Sequence, residues 1–412
     1  MTTTNEPRGR SVYTLDNPIQ HYDWGSGTQL HELLGDAPDG RPAAELWLGA
    51  HASAPSLARD RHGATEPLDA LIRSDPERML GKRVSDEYGP RLPYLLKVLA
   101  ADRALSLQVH PKPHLARAGF NRENARGVPL DAPHRSFRDD QHKPELIVAV
   151  SQFEALAGFR NPRSITSLLD GLDGPLVDAV RDELARDRSA RGLRAAFSRL
   201  LAARDDDACA AQLERTIASV RARAEAGSRF GRADATVLRL AQEHPGDPGA
   251  IASLMLNRVT LEPGEALFLA AGEIHAYLSG LGVEVMASSD NVLRAGLTTK
   301  HVDEAALFEA ASFEPRPPLA PHLDLAGSRG QSVTFRPPVR EFALTLIDVD
   351  ESESVPLAPT GPRTVICLDG EVEVVDAGGR TKLGRGGSVF VAHDAGAASV
   401  EGSGLVACAW VP

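Results

Sequence analysis

The chain has 412 residues, 42% hydrophobic and 25% charged, an ordinary globular composition with apolar material for two or three packed units. A count of 45 Lys and Arg against 56 Asp and Glu leaves a net charge of −11, which repels a phosphate backbone and excludes nucleic acid as a partner. Cys209, Cys367 and Cys408 are far apart and form no CxxC, which excludes a disulfide framework and a thiolate metal cage; any metal must be held by His, carboxylate or amide oxygen.

Taken in chain order, the first ten residues, MTTTNEPRGR, lack the apolar core of a secretory signal, and no run of about 18 apolar residues follows. The expectation is a soluble, cytoplasmic protein with no membrane partner. Residues 90–112 hold two β-rich runs split by Ala-Asp-Arg, with Leu105, Leu107 and Val109 alternating against Ser106, Gln108 and His110; this predicts a hairpin with a polar inner face. Residues 144–159 read as another extended run. From about Ser164 to Leu256 the periodicity changes: Leu193, Phe197, Leu200 and Leu201, then Leu213, Ile217 and Val220, recur at three and four, which predicts an insert of three to five amphipathic helices. Asp247-Pro248 supplies a cap and a first-turn proline for the last of them. Residues 256–286 return to strands punctuated by Pro263-Gly264, Gly272 and Gly280, and the Pro-rich stretch 315–321 leads into a strand-like C-terminal part. The fold class is therefore mainly β with an α-helical insert: two β-barrels of jelly-roll type plus a helical domain. The expected partition is 1–162 and 257–314 for a catalytic barrel, 163–256 for the helical insert, and 315–412 for a C-terminal barrel.

An internal comparison supports two barrels of one type. Leu261-Glu-Pro-Gly-Glu-Ala-Leu-Phe-Leu-Ala-Ala parallels Leu383-Gly-Arg-Gly-Gly-Ser-Val-Phe-Val-Ala-His, but where the first copy runs on to His275 the second has Ala397 without a gap or Ala398 with one. The second copy is degenerate.

Gln108 and His110 lie two apart on an expected strand, so both side chains leave the same face and can converge on one ion. Read alone, such a pair is equally an exposed polar edge, and Glu145 after Pro144 equally a surface carboxylate. The run from Gly264 through Gly272 to His275 and Tyr277 delivers a histidine from a glycine turn into the next strand, and here the sequence resembles the cupin fold, with Ala270 where many cupins carry Pro. Six further motifs narrow the resemblance: Tyr22-Asp-Trp-Gly25, Ala44-Glu-Leu-Trp-Leu-Gly49, Leu92-Pro-Tyr-Leu-Leu-Lys-Val-Leu99, Leu105-Ser-Leu-Gln-Val-His-Pro111, His142-Lys-Pro-Glu145, and Ser289-Asp-Asn-Val-Leu-Arg294 continuing to Lys300. In order and spacing these resemble the type I mannose-6-phosphate isomerase family over most of residues 20–303.

That resemblance implies one Zn²⁺ per chain, held by Gln108, His110, Glu145 and His275. It implies zinc-dependent interconversion of mannose 6-phosphate and fructose 6-phosphate through a cis-enediol, linking mannose use and GDP-mannose supply to glycolysis. It places Arg294 in catalysis, on the enediolate oxygen, with Glu284 and Lys143 as alternative proton-transfer bases. Trp24, Glu45, Lys97, Ser106, Tyr277 and Lys300 are implied as substrate contacts, the lysines receiving the phosphate dianion. Two imidazoles, one carboxylate and one neutral amide leave a zinc site cationic and hence a Lewis acid. A metal-holding cupin that binds a sugar phosphate without turning it over is the alternative from another class, and an Fe(II) cupin oxygenase a third, which the neutral Gln ligand and the lysines disfavour. The chain is expected to be a monomer.

Overall fold

The computed structural model describes residues 11–204, 207–326 and 331–412, so the decapeptide MTTTNEPRGR lies outside it. Two large sheets, of ten and eleven strands among the described residues, curl into two barrels packed back to back. The ten-stranded sheet is organised by one strand, His275–Ala287. Its first residues pair with Leu107–Val109 and Phe153–Phe159, and its last with Tyr94–Ala101 and Glu145–Ala149. Gly280 lets the strand pass between these partners: its φ is 118°, and a Cβ there would sit 2.5 Å from the Gln152 carbonyl oxygen.

This arrangement replaces the expected hairpin. Tyr94–Ala101 and Leu107–Val109 are both strands, but each pairs with His275–Ala287 and not with the other. The alternation itself is realised, since Gln108 lies opposite His275 on the barrel's inner face. What a local pattern does not contain is a distant strand long enough to take both segments as neighbours.

The same two-residue period lines the barrel interior. Glu45 and Trp47, Lys97 and Leu99, Glu145 and Ile147, and Glu284 and Met286 occupy alternate positions on four adjoining strands. One end of the interior is apolar, with Phe153, Leu267, Leu269 and Ile147. Charged side chains concentrate at the other.

Between the strands Phe153–Phe159 and Leu256–Leu261 the chain leaves for six helices among the described residues, one more than expected: Pro162–Leu169, Pro175–Arg186, Ala190–Leu201, Asp207–Glu225, Gly231–Glu243 and the single turn Gly249–Ala252. The apolar residues at three and four face a common core, where Leu193, Phe197, Leu200, Ile217 and Val220 are buried together with barrel residues Leu107, Val109 and Phe159. Asp247 caps the last turn by accepting from the Gly249 N–H at 2.8 Å. Short helices at Gln29–Leu34, Leu68–Ser74, Pro76–Leu80, Lys82–Tyr88, Pro113–Ala125 and Glu304–Ala310 were not anticipated; most are too short to establish a 3.6-residue period.

The sheet pairing departs from the expected partition at the N-terminus. Val12–Asp16 pairs with Ser388–Val391 and with Leu57–Arg59, so both early segments belong to the C-terminal sheet. The two barrels also share a core that includes Leu48, Leu96, Val98, Phe268, Phe342 and Phe390. Each such side chain contributes roughly 1.5–3 kcal/mol on burial. Tyr94 ties the joint further, its hydroxyl donating to the Ala409 carbonyl at 3.0 Å. Among the described residues no helix is long and apolar enough to cross a membrane.

Candidate metal centre and active site

His110, Glu145 and His275 converge although they lie on three separate segments, and all three are buried. His110 Nε2 is 3.1 Å from Glu145 Oε1, and His275 Nε2 is 3.3 Å from Glu145 Oε2. The Gln108 amide stands 3.4 Å from His275 Nε2. The outer ring nitrogens are committed: His110 Nδ1–H donates to the Asn291 carbonyl at 2.6 Å and His275 Nδ1–H to the Glu273 carbonyl at 2.9 Å. Each imidazole thus turns Nε2 towards the carboxylate, the second-sphere arrangement that orients metal-binding histidines.

These residues fit a zinc ion. His110 Nε2 and Glu145 Oε2 are buried without a hydrogen-bond partner, an arrangement that costs about 1–3 kcal/mol per group unless a cation lies between them. Tetrahedral zinc with bonds of about 2.0–2.1 Å separates neighbouring ligand atoms by about 3.3 Å, the spacing found here. A half-turn of the Gln108 amide exchanges its nitrogen for the carbonyl oxygen.

Electrostatics point the same way. Burial, together with Lys143 and His275, outweighs the pull of Glu145 and brings the His110 pKa down to about 4, so its ring is neutral and can ligate. Burial works against the charge of Glu145, yet Lys143 and His110 hold its carboxyl well below the usual range. Lys143 Nζ sits 3.0 Å from Glu145 Oε1. Burial opposes a charge on His275, but the adjoining Glu145 carboxylate raises its pKa.

Beside the cluster lies a second buried network. Lys97 Nζ is 3.4 Å from Glu45 Oε1 and 3.5 Å from Glu284 Oε2. Trp47 donates to Glu45 at 2.7 Å, Tyr277 to Glu284 at 2.8 Å, and the Lys97 ammonium lies 5.2 Å from the Trp47 ring centroid. Burial, with Glu145 close by, raises the Glu284 pKa to about 7 against the opposing pull of Lys97. Burial disfavours the Lys97 charge, but Glu45 and Glu284 outweigh it and raise its pKa. Lys97 is thus engaged by two carboxylates and is not a free cation waiting for phosphate.

The remaining residues named from sequence distribute around this centre. Ser106 Oγ is 3.5 Å from the Gln108 amide oxygen, and Trp24 packs half-buried against the inner apolar cluster. Arg294 lies opposite Gln108 on the neighbouring strand. Lys300 is exposed six residues further on. Burial and the nearby Arg138 lower the Arg294 pKa, while burial, Arg294 and Arg138 lower that of Lys300. Three cations therefore repel one another at a place where an anion would relieve them. A narrow cavity of about 60 Å³ reaches Arg138, Arg294 and His301, and one of about 260 Å³ reaches His51, Arg138 and Asp290.

Several participants were missed. Arg138 sits in the charged stretch before His142, where its sequence position suggests only a solvated surface. His51, buried with Nε2 3.4 Å from Asp290 Oδ1, follows the Glu45–Gly49 motif, which was the available signal. Asn291 and Glu273 contribute carbonyl groups, which side-chain patterns do not encode.

The second barrel repeats the frame without the ligands. Leu269 lies opposite Glu145, and its counterpart Val391 lies opposite Arg363. Arg363 therefore occupies the place of the carboxylate, fully buried, donating to the carbonyls of Ala358, Gly396 and Ala392 at 3.0, 2.7 and 2.6 Å. The strand equivalent to His275–Ala287 begins at Ala398, so the gapped alignment holds.

The sequence profile described as phosphomannose isomerase type I, catalytic domain, matches residues 12–162. The mannose-6-phosphate isomerase of Shigella flexneri is 36% identical over 95% of this chain and 98% of its own, and that of Bos taurus 32% identical over 92% and 93%. A crystal structure of zinc-bound mannose 6-phosphate isomerase superposes with a TM-score of 0.87 at 34% identity, covering 97% of this chain and 99% of the other. The Salmonella typhimurium enzyme bound to its substrate and zinc gives the same score, identity and coverage. With agreement running through both barrels and the helical insert, the chain belongs to the type I phosphomannose isomerase family.

Proposed function

We infer that this protein interconverts mannose 6-phosphate and fructose 6-phosphate using one zinc ion. The observation that carries this reading is the buried His110–Glu145–His275 cluster with Gln108 at its side, flanked by mutually repelling cations. Gln108, His110, Glu145 and His275 hold the metal, which when bound supplies positive charge and Lewis acidity beside the sugar's carbonyl end.

Arg294 is assigned to the oxygen that becomes negative as the enediolate forms, because its guanidinium stays charged and offers paired N–H donors. Lys300 and Arg138 receive the phosphate dianion. Of the two candidate bases, Glu284 is the better suited: a carboxyl with a pKa of about 7 can accept the C2 proton and return it to C1 near neutrality. Lys143 has its Nζ 3.0 Å from Glu145 Oε1 and is engaged with that carboxylate. Trp24 offers a flat apolar face to the sugar, and Ser106, Glu45 and Tyr277 complete the wall. The chain acts as a monomer in the cytoplasm, its two barrels burying one another's faces without a second copy.

A coupled assay following fructose 6-phosphate production from mannose 6-phosphate tests the reading on purified, chelated and zinc-restored protein. Activity lost on chelation and regained with zinc is the expected result. Full zinc content without turnover would instead identify a sugar-phosphate-binding protein, and light scattering that finds a dimer would overturn the monomer assignment.

A further inference from the structure

The helical insert reaches the substrate side of the barrel through one ion pair. Arg204, just after the helix Ala190–Leu201, and Asp247, just before the turn Gly249–Ala252, meet at 2.8 Å with both side chains largely buried. Together they grip the backbone of residues 295–298. Asp247 accepts from the Thr298 N–H at 3.2 Å, while Arg204 donates to the Thr298 carbonyl at 3.2 Å and to the Ala295 carbonyl at 3.5 Å. Inside this grip, Leu297 has a φ of 54°, the one positive value at a non-glycine among the described residues. A left-handed conformation costs a leucine about 1–2 kcal/mol and persists only when its surroundings impose it. The imposing contacts are visible: Leu297 is buried in the helical core, and a Cβ at Gly249 would lie 3.1 Å from its side chain. A Cβ on Gly296 would meet Asp247 and the Gly249 backbone at 3.2 Å, so insert and strand approach closely enough to require glycine on both sides.

The gripped turn separates two cations. Arg294 precedes it on the strand Leu293–Gly296, and Lys300 follows it, with its N–H donating to Thr298 Oγ1 at 3.1 Å. Arg294 and Lys300 are thus like charges held near each other at the two ends of the turn, with Asp23 the nearby carboxylate. We propose that Arg204 and Asp247 are positioning residues, which give the helical insert a function: they hold the turn at Leu297 closed so that Arg294 and Lys300 stay at the spacing a sugar phosphate needs. This rests on the assignment of Lys300 to the phosphate given above.

The test uses the zinc-loaded full chain. In Asp247→Asn and Arg204→Lys the grip is weakened, so KM for mannose 6-phosphate and the inhibition constant for inorganic phosphate should both rise about tenfold, equivalent to roughly 1.4 kcal/mol of lost binding. Zinc content should stay at one per chain and kcat should change less than KM. Lys300→Met runs in parallel. If it leaves KM unchanged, the phosphate assignment fails, and the proposal with it. If Lys300→Met raises KM while the two grip variants lower only the melting temperature, the assignment stands and the positioning role is overturned. Amide exchange on the unmutated protein tests the same point without a substitution: the Thr298 N–H should exchange as slowly as barrel-strand amides, and rapid exchange would overturn the proposal.

Discussion

Replacing Lys97 with Met separates two roles that sequence alone assigns to this residue. The ammonium is almost wholly enclosed, its side chain 6% exposed, between Glu45 and Glu284. At the 3.5 Å separation from Glu284 and an effective dielectric constant of about 20, the attraction is about 5 kcal/mol, which places the ceiling for its effect on the Glu284 pKa at roughly three and a half pH units. Removing the cation leaves two buried carboxylates facing each other, with Trp47 and Tyr277 as donors. A broken buried pair of this kind destabilises by about 3–5 kcal/mol. The sign of the kinetic effect follows from burial, which already raises Glu284 against the pull of Lys97. With Lys97 gone the pKa moves further up, the basic form is scarcer at neutral pH, and the acid limb of kcat/KM shifts to higher pH by at least about one unit. The measurement is a pH–rate profile of Lys97→Met from about pH 5.5 to 9.5 by the coupled assay, with zinc content and urea unfolding as controls. A folded, zinc-loaded variant whose acid limb stays at the wild-type position refutes the reasoning, and a raised KM in that variant returns Lys97 to the substrate.

Arg294→Ala should lower turnover by about a hundredfold, the scale of losing one oxyanion donor, while zinc measured by emission spectroscopy remains at one per chain; loss of zinc would make Arg294 part of the scaffold. Arg363→Met should cost about 3 kcal/mol or more in urea unfolding, because three carbonyls lose the charged donor they share; an unchanged midpoint would contradict this. Gly280→Ala should destabilise by about 2–4 kcal/mol through strain at a φ of 118° and the clash with Gln152, and a fully stable variant would mean that the long strand tolerates another path.

Much of the centre was legible because its chemistry is periodic or local. Two-residue spacing put Gln108 and His110 on one face, whereas the glycine turn ahead of His275 is by itself equally structural, and only the resemblance to the cupin fold made that histidine an inward-facing ligand. Glu145 was a weaker case, ambiguous until neighbouring motifs gave it context. The contributions from Asn291 and Glu273 were illegible for a simple reason: a carbonyl oxygen belongs to every residue, and only the folded path decides which one meets an imidazole. The same applies to Arg138, whose nearness to Arg294 joins segments far apart in sequence.

By itself the sequence determined the class of the barrel strands and of the helical insert: alternation made strands, three-and-four spacing made the insert's helices, and the missing histidine at Ala397 or Ala398 marked the second barrel as degenerate. These are properties of a few adjacent residues, and hydrophobic burial enforces them wherever the segment ends up. Only the tertiary structure decided which strands became neighbours, that Val12–Asp16 crosses to the C-terminal sheet, that Lys97 is held between two carboxylates, and that Arg363 stands where the first barrel has Glu145. Those outcomes depend on strands taking partners from distant parts of the chain, as Val12–Asp16 does with Ser388–Val391 and as the long strands His275–Ala287 and Ala398–Trp410 do. Charge at such a site is set by distance and burial, which acquire values only when the barrels close.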